Sequence, residues 1–272
     1  MSFSKQTSVI LAHAGFHKAY QLLSAYRFRL QATGMTVFFV IGIAVFFMVG
    51  LLFTTNAMAM GNDDPLLTML KIDQLEITDV GDDNDLAWEA QSWLGRDLNK
   101  LWFKTEGERV DSDVEEAEVQ LLYSRAIAPY WDAQIGWRHD IKPTPNRDWL
   151  VLGLQGVAPY FFETDIALFV GEGGIVGLRT EWEYELLLTQ KWILTPEIEA
   201  NFFSKNDHDV GLGSGLSDVS LGLRLRYEIK REFAPYIGIE WDKRLGDTAD
   251  FAREEGERTS DTKWVAGVRL WF

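Results

Sequence analysis

Residues 219–230 read VSLGLRLRYEIK. In an extended chain Val219, Leu221, Leu223, Leu225, Tyr227 and Ile229 fall on one side, and Ser220, Gly222, Arg224, Arg226, Glu228 and Lys230 on the other. The same period governs 178–188, where Leu178, Thr180, Trp182, Tyr184, Leu186 and Leu188 oppose Arg179, Glu181, Glu183 and Glu185. It recurs in 194–202, with Leu194, Ile198, Ala200 and Phe202 opposing Thr195, Glu197, Glu199 and Asn201. No helical period competes over this length. Working outward, twelve such segments are predicted near 70–79, 85–95, 99–108, 115–127, 130–140, 148–157, 161–171, 175–189, 191–205, 217–230, 233–245 and 262–272. Gly, Pro and Asp/Asn clusters mark nearly every boundary.

A soluble sandwich shows the same alternation. Three features favour an all-β, closed antiparallel transmembrane barrel of about twelve strands instead. The last segment ends on Phe272, with Trp264, Ala266, Val268 and Leu270 on the same face, resembling the terminal signal of bacterial outer-membrane barrels. Short connections such as Arg96-Asp97-Leu98, Ala128-Pro129 and Arg231-Glu232 alternate with longer ones at Arg109–Val114, Ile141–Arg147, Lys205–Ser217 and Leu245–Asp261. Trp and Tyr gather near segment ends, as an interfacial girdle requires. An even count puts both ends of the barrel on the periplasmic side, and closure leaves no unpaired strand edge in lipid.

The front end agrees with export. Thr36–Phe53 is an uncharged apolar run, the charged residues ahead of it are all basic, and Ala57-Met58-Ala59 follows as a small-x-small cleavage pattern. Residues 1–59 read as an export signal cut after Ala59, with an uncleaved membrane anchor as the competing reading. Residues 60–69 form a short lead-in, and 70–272 the barrel. After residue 59 the chain carries 22 basic and 41 acidic residues, a net of −19. Such a surface repels phosphate backbones, which argues against nucleic acid, and it favours cationic partners. The chain has no Cys, so disulfides, thiolate metal sites and thiol nucleophiles are excluded.

Turned inward, the polar faces give an acidic lumen. Glu181, Glu183 and Glu185 come beside Glu197 and Glu199, with Arg224 and Arg226 across from them. One reading is a set of ion pairs that locks the barrel, since buried charge needs partners. The other is a cation-attracting conduit. For direct metal ligation the candidates are Asp207-His208-Asp209 in a long loop, where a solvated polar loop is the simpler reading, and Met60 and Met69 at the start. His139 beside Trp137 reads as an interfacial side chain. Catalysis is disfavoured: after the leader only His139 and His208 remain, which leaves a Ser–His hydrolase short of parts.

Residues 148–272 resemble the outer-membrane copper resistance protein B family. The resemblance is carried by LQGVAPYFFE (154–163), EWEYELLLTQ (181–190), GLGSGLS (211–217), GLRLRYEI (222–229), REFAPY (231–236) and the closing RLWF (269–272), with weaker similarity back to about residue 65. It implies an outer-membrane protein that binds or passes copper ions in copper tolerance, in contact with outer-membrane lipid and alongside a periplasmic multicopper oxidase. Family members commonly carry a Met- and His-rich segment before the barrel. Here that stretch is MGNDDPLLTM, so only Met60 and Met69 correspond to it. The alternatives are a general or structural channel and, further off, an outer-membrane hydrolase.

Overall fold

The computed structural model describes residues 64–80, 83–110 and 113–272; the expected export signal and Met60 lie outside the described residues. Thirteen β segments appear among them: β1 (Leu67–Val80), β2 (Asp83–Gly95), β3 (Asn99–Val110), β4 (Asp113–Ala128), β5 (Trp131–Lys142), β6 (Arg147–Ala158), β7 (Phe162–Gly171), β8 (Val176–Glu183), β9 (Leu186–Leu187), β10 (Trp192–Phe203), β11 (Gly215–Tyr227), β12 (Phe233–Arg244) and β13 (Ser260–Trp271). Each pairs antiparallel with its neighbours, and β13 pairs with β1, so the sheet closes. β8 and β9 are one barrel strand interrupted at Tyr184-Glu185, which leaves twelve around the ring. The break has a local cause. Tyr184 donates its N–H to the Pro196 carbonyl at 3.1 Å, but proline has no N–H to return the bond.

The sheet is inverted relative to a soluble protein. Leu101, Phe103, Leu121, Ile135, Leu150, Leu152, Leu221, Leu223 and Ile237 are exposed, while Glu76 is 1% and Arg224 7% exposed. Apolar side chains therefore face the lipid and charged ones the bore, as in a membrane barrel. Part of the bore is apolar too. Leu122, Val151, Trp149, Phe169 and Trp102 form a buried cluster along one wall. Trp149 lies over its cross-strand partner Gly171, where a Cβ would sit 2.5 Å from the ring, and its indole N–H donates to Asp140 at 2.7 Å.

Several boundaries differ from the sequence reading. β1 begins at Leu67, inside the stretch assigned to the lead-in. Where a long connection is expected at 109–114, strand pairing instead continues to Val110 and Asp113. The long outer loop expected over 245–261 holds a helix, α1 (Gly246–Glu255), capped by Gly256 at φ 81°. The helix docks on the neighbouring loop. Thr248 accepts from the Gly213 N–H at 2.8 Å and its hydroxyl meets Ser217 at 2.8 Å, while Asn206 donates to Asp247 at 3.0 Å.

β1 also carries a bulge. Its pairing with β2 slips between Ile72 and Gln74, so Lys71 and Asp73 face the bore, and after the slip Glu76 and Thr78 do so. Leu75 and Ile77 are exposed on the outside. An extra residue in one strand exchanges the faces that follow it.

Candidate functional site: the charged lumen

The register aligns carboxylates directly across neighbouring strands. Glu89 opposes Glu106, Glu106 opposes Glu118, and Glu118 opposes Asp140, so one row climbs from the middle of β2 towards the outer end of β5. On the facing wall Asp165 opposes Glu181 and Glu181 opposes Glu199; Glu163 opposes Glu183 and Glu183 opposes Glu197. Like charges placed directly opposite each other destabilise a sheet. Arginines and lysines offset most of that cost.

Arg224 holds Glu76 at 2.6 Å, Glu197 at 2.8 Å and Glu240 at 2.7 Å. Arg226 holds Glu185 at 2.5 Å. Arg269 sits 3.3 Å from both Glu183 and Glu185 and 3.4 Å from Asp73. Arg138 joins Glu118 and Asp140, each at 2.6 Å. Two further groups reach across the bore. Arg179 on β8 contacts Glu106 at 2.7 Å and Glu118 at 3.2 Å, and Lys104 on β3 contacts Asp165 on β7 at 2.6 Å.

Between these groups lies a cavity of about 360 Å³, lined by nine carboxylates and six cationic side chains. Among the described residues, Glu89, Glu163 and Glu181 line it with no cationic side chain in ion-pair contact. A second cavity of about 440 Å³ opens towards the periplasmic mouth beside Met69, Trp93 and Trp102. The arrangement can attract cations electrostatically to an acid-rich bore.

The structure separates the candidate ligands of the 205–217 loop. Asp207 accepts from Arg147 at 2.9 and 3.1 Å, the His208 ring packs on Phe251 at 4.4 Å, and Asp209 points to solvent, 3.7 Å from Arg147. Among the described residues no three His, Asp or Glu side chains are gathered to hold a metal ion. Met69 lies opposite Trp93 and packs against the lumenal cluster. His139 stacks on Trp137 and pairs with Asp148 at 2.8 Å. Of the lumen residues singled out in the sequence, Glu183, Glu185, Glu197 and Glu199 meet arginines and Glu181 does not.

Sequence reasoning missed Lys71, Asp73 and Glu76 in β1, and Lys263, which holds Glu108 at 2.9 Å. A signal for Glu76 was present. The apolar positions Leu70, Ile72, Leu75 and Ile77 are spaced two, three and two apart, which is the trace a bulge leaves in a strand.

Residues 66–272 match the family described as Copper resistance protein B precursor (CopB). The chain is 45% identical over 211 residues to Copper resistance protein B of Escherichia coli, covering 78% of this chain and 71% of that protein. It is 42% identical over 220 residues to the Copper resistance protein B homolog of Pseudomonas syringae pv. tomato, covering 81% and 75%. Among solved structures the NanC porin superposes with a TM-score of 0.51 at 12% identity, over 74% of this chain and 98% of the porin, a likeness of fold alone. Sequence, closed sheet and inverted faces agree: the chain is an outer-membrane β-barrel and belongs to the copper resistance protein B family.

Proposed function

We propose that the barrel serves copper resistance by taking copper ions into its lumen, holding them weakly and passing them along the carboxylate rows. One observation supports this above the others: Glu89, Glu106, Glu118 and Asp140 stand side by side on four consecutive strands, facing two more acidic rows. Stability alone disfavours such neighbours, whereas a cation path needs them. Carboxylate and water suit a hydrated divalent ion, and the scarcity of thioether and imidazole ligands favours transit over tight capture. The relatives and the barrel fold point to a non-enzymatic role. In this reading a periplasmic multicopper oxidase, the companion implied by the family resemblance, acts on the copper pool that the barrel adjusts.

The test uses Glu89→Gln with Glu181→Gln, which leaves the arginine clusters intact. A strain lacking the protein is complemented with wild type or the double variant and challenged with copper, and Cu(II) uptake is followed in liposomes holding each barrel. Reduced tolerance and slower uptake by a folded variant are expected. Full tolerance with unchanged uptake would sink the conduit reading and leave the acids a structural role.

A further inference from the structure

We propose that Arg179 is the specificity-determining residue of the bore, a latch that shuts it to monovalent cations and yields to a divalent one; this rests on the conduit reading above. Arg179 stands on β8, five strands around the ring from β3 and four from β4. Its guanidinium nevertheless reaches Glu106 on β3 and Glu118 on β4, at 2.7 and 3.2 Å. Lys104 returns the crossing from β3 to Asp165 on β7 at 2.6 Å. Two ion pairs in opposite directions therefore span the bore beside the central cavity.

Arg179 also has a second set of partners on its own wall. Its Nε is 3.4 Å from Glu199 and 3.3 Å from the side-chain oxygen of Asn201, its cross-strand neighbour on β10. Swinging back would keep that ion pair and hydrogen bond while releasing Glu106 and Glu118. Glu118 then stays neutralised by Arg138 at 2.6 Å, whereas Glu106 has no other ion-pair partner among the described residues. Glu106 is also the solvent-facing member of the set, its side chain 40% exposed against 17% for Arg179. Of the three carboxylates on Arg179, Glu106 is the most open to an arriving cation. A doubly charged ion competes with the singly charged guanidinium for the Glu106–Glu118 pair, and a singly charged ion has no such advantage. The two arrangements of Arg179 thus make a two-position element biased by the ion itself.

The barrel is inserted into planar bilayers in KCl as wild type, as Arg179→Gln and as Glu106→Gln. Arg179→Gln is expected to raise K⁺ conductance at least about threefold, and Glu106→Gln to raise it less, because Glu118 still holds the arginine. Adding Cu(II) should raise wild-type conductance and leave Arg179→Gln unchanged. Equal K⁺ conductance in wild type and Arg179→Gln overturns the latch. If Arg179→Gln fails to fold, as judged by heat-modifiable migration, Glu106→Gln decides on the same criterion. Cu(II) flux into liposomes separates the two readings. Conductance that depends on Arg179 without any Cu(II) flux keeps the latch and removes copper passage; flux with conductance indifferent to Arg179 does the reverse.

Discussion

Arg224 and Arg179 each hold three carboxylates, yet they do different work. Arg224 touches the cavity but is almost wholly buried, as is its partner Glu76. Arg179 is more open, its side chain 17% exposed, and its partner Glu106 is 40% exposed. The first cluster ties β11 to β10, β12 and β1, closing the wall around the seam of the barrel. The second spans the opening. A buried charge without its partner costs far more than a hydrated one, so the same triad of acids is a lock in one place and a movable element in the other.

The sharpest way to break this comparison is to remove the lock. Arg224→Gln with Arg226→Gln should destabilise the barrel by about 3–5 kcal/mol, because Glu76, Glu197 and Glu240 lose their buried cation. Thermal unfolding in detergent reads this, with Arg179→Gln as the control expected to fall well short of it. Equal losses would erase the distinction between lock and latch. Glu76→Gln probes the same cluster more gently. It turns one charged contact of Arg224 into a neutral one and should cost about 1–3 kcal/mol; an unchanged melting temperature would mean the bulge places Glu76 there without energetic consequence.

The smallest effect is expected outside the lumen. Replacing Asp207, His208 and Asp209 together should lower Cu(II) binding only slightly, since Arg147 already engages Asp207, but still by more than replacing Met60 and Met69. Isothermal titration with Cu(II) checks this. Tight Cu(I) binding lost with the two methionines would move the site of capture to the start of the chain.

The barrel was legible because its period-two pattern is long, repeated and free of helical competition. Leu221, Leu223, Arg224 and Arg226 fall on the faces the alternation assigns them. What escaped is what alternation cannot encode. A single inserted residue in β1 exchanged the faces and hid Glu76. Helix α1 escaped because it is short and has no side-chain cap at its start; its traces are the buried Ala249 and Ala252, three apart, and Gly256 beyond them. The pairs that matter most in the lumen were out of reach for another reason. A sequence tells which side chains point inward, but which strands face one another across the bore depends on how the closed sheet is flattened and filled. Leu122, Val151 and Phe169, packed into one wall, help set that shape.

The ion pairs of the lumen also bear on the order in which the protein is made. Arg224 and Glu76 are 148 residues apart in the chain, and Lys263 and Glu108 are 155 apart. Neither pair can form until the last strands meet the first. An unfinished sheet therefore exposes Glu76 and Glu108 without these counter-charges, and like charges repel sheets that approach face to face. That repulsion opposes collapse and stacking of incomplete chains in the periplasm, where an edge-bearing sheet is most prone to aggregate. Closure then brings Arg224 and Lys263 to these two acids and removes the open sheet edges in one step. The acids that line the finished lumen are, before closure, a source of repulsion between incomplete chains.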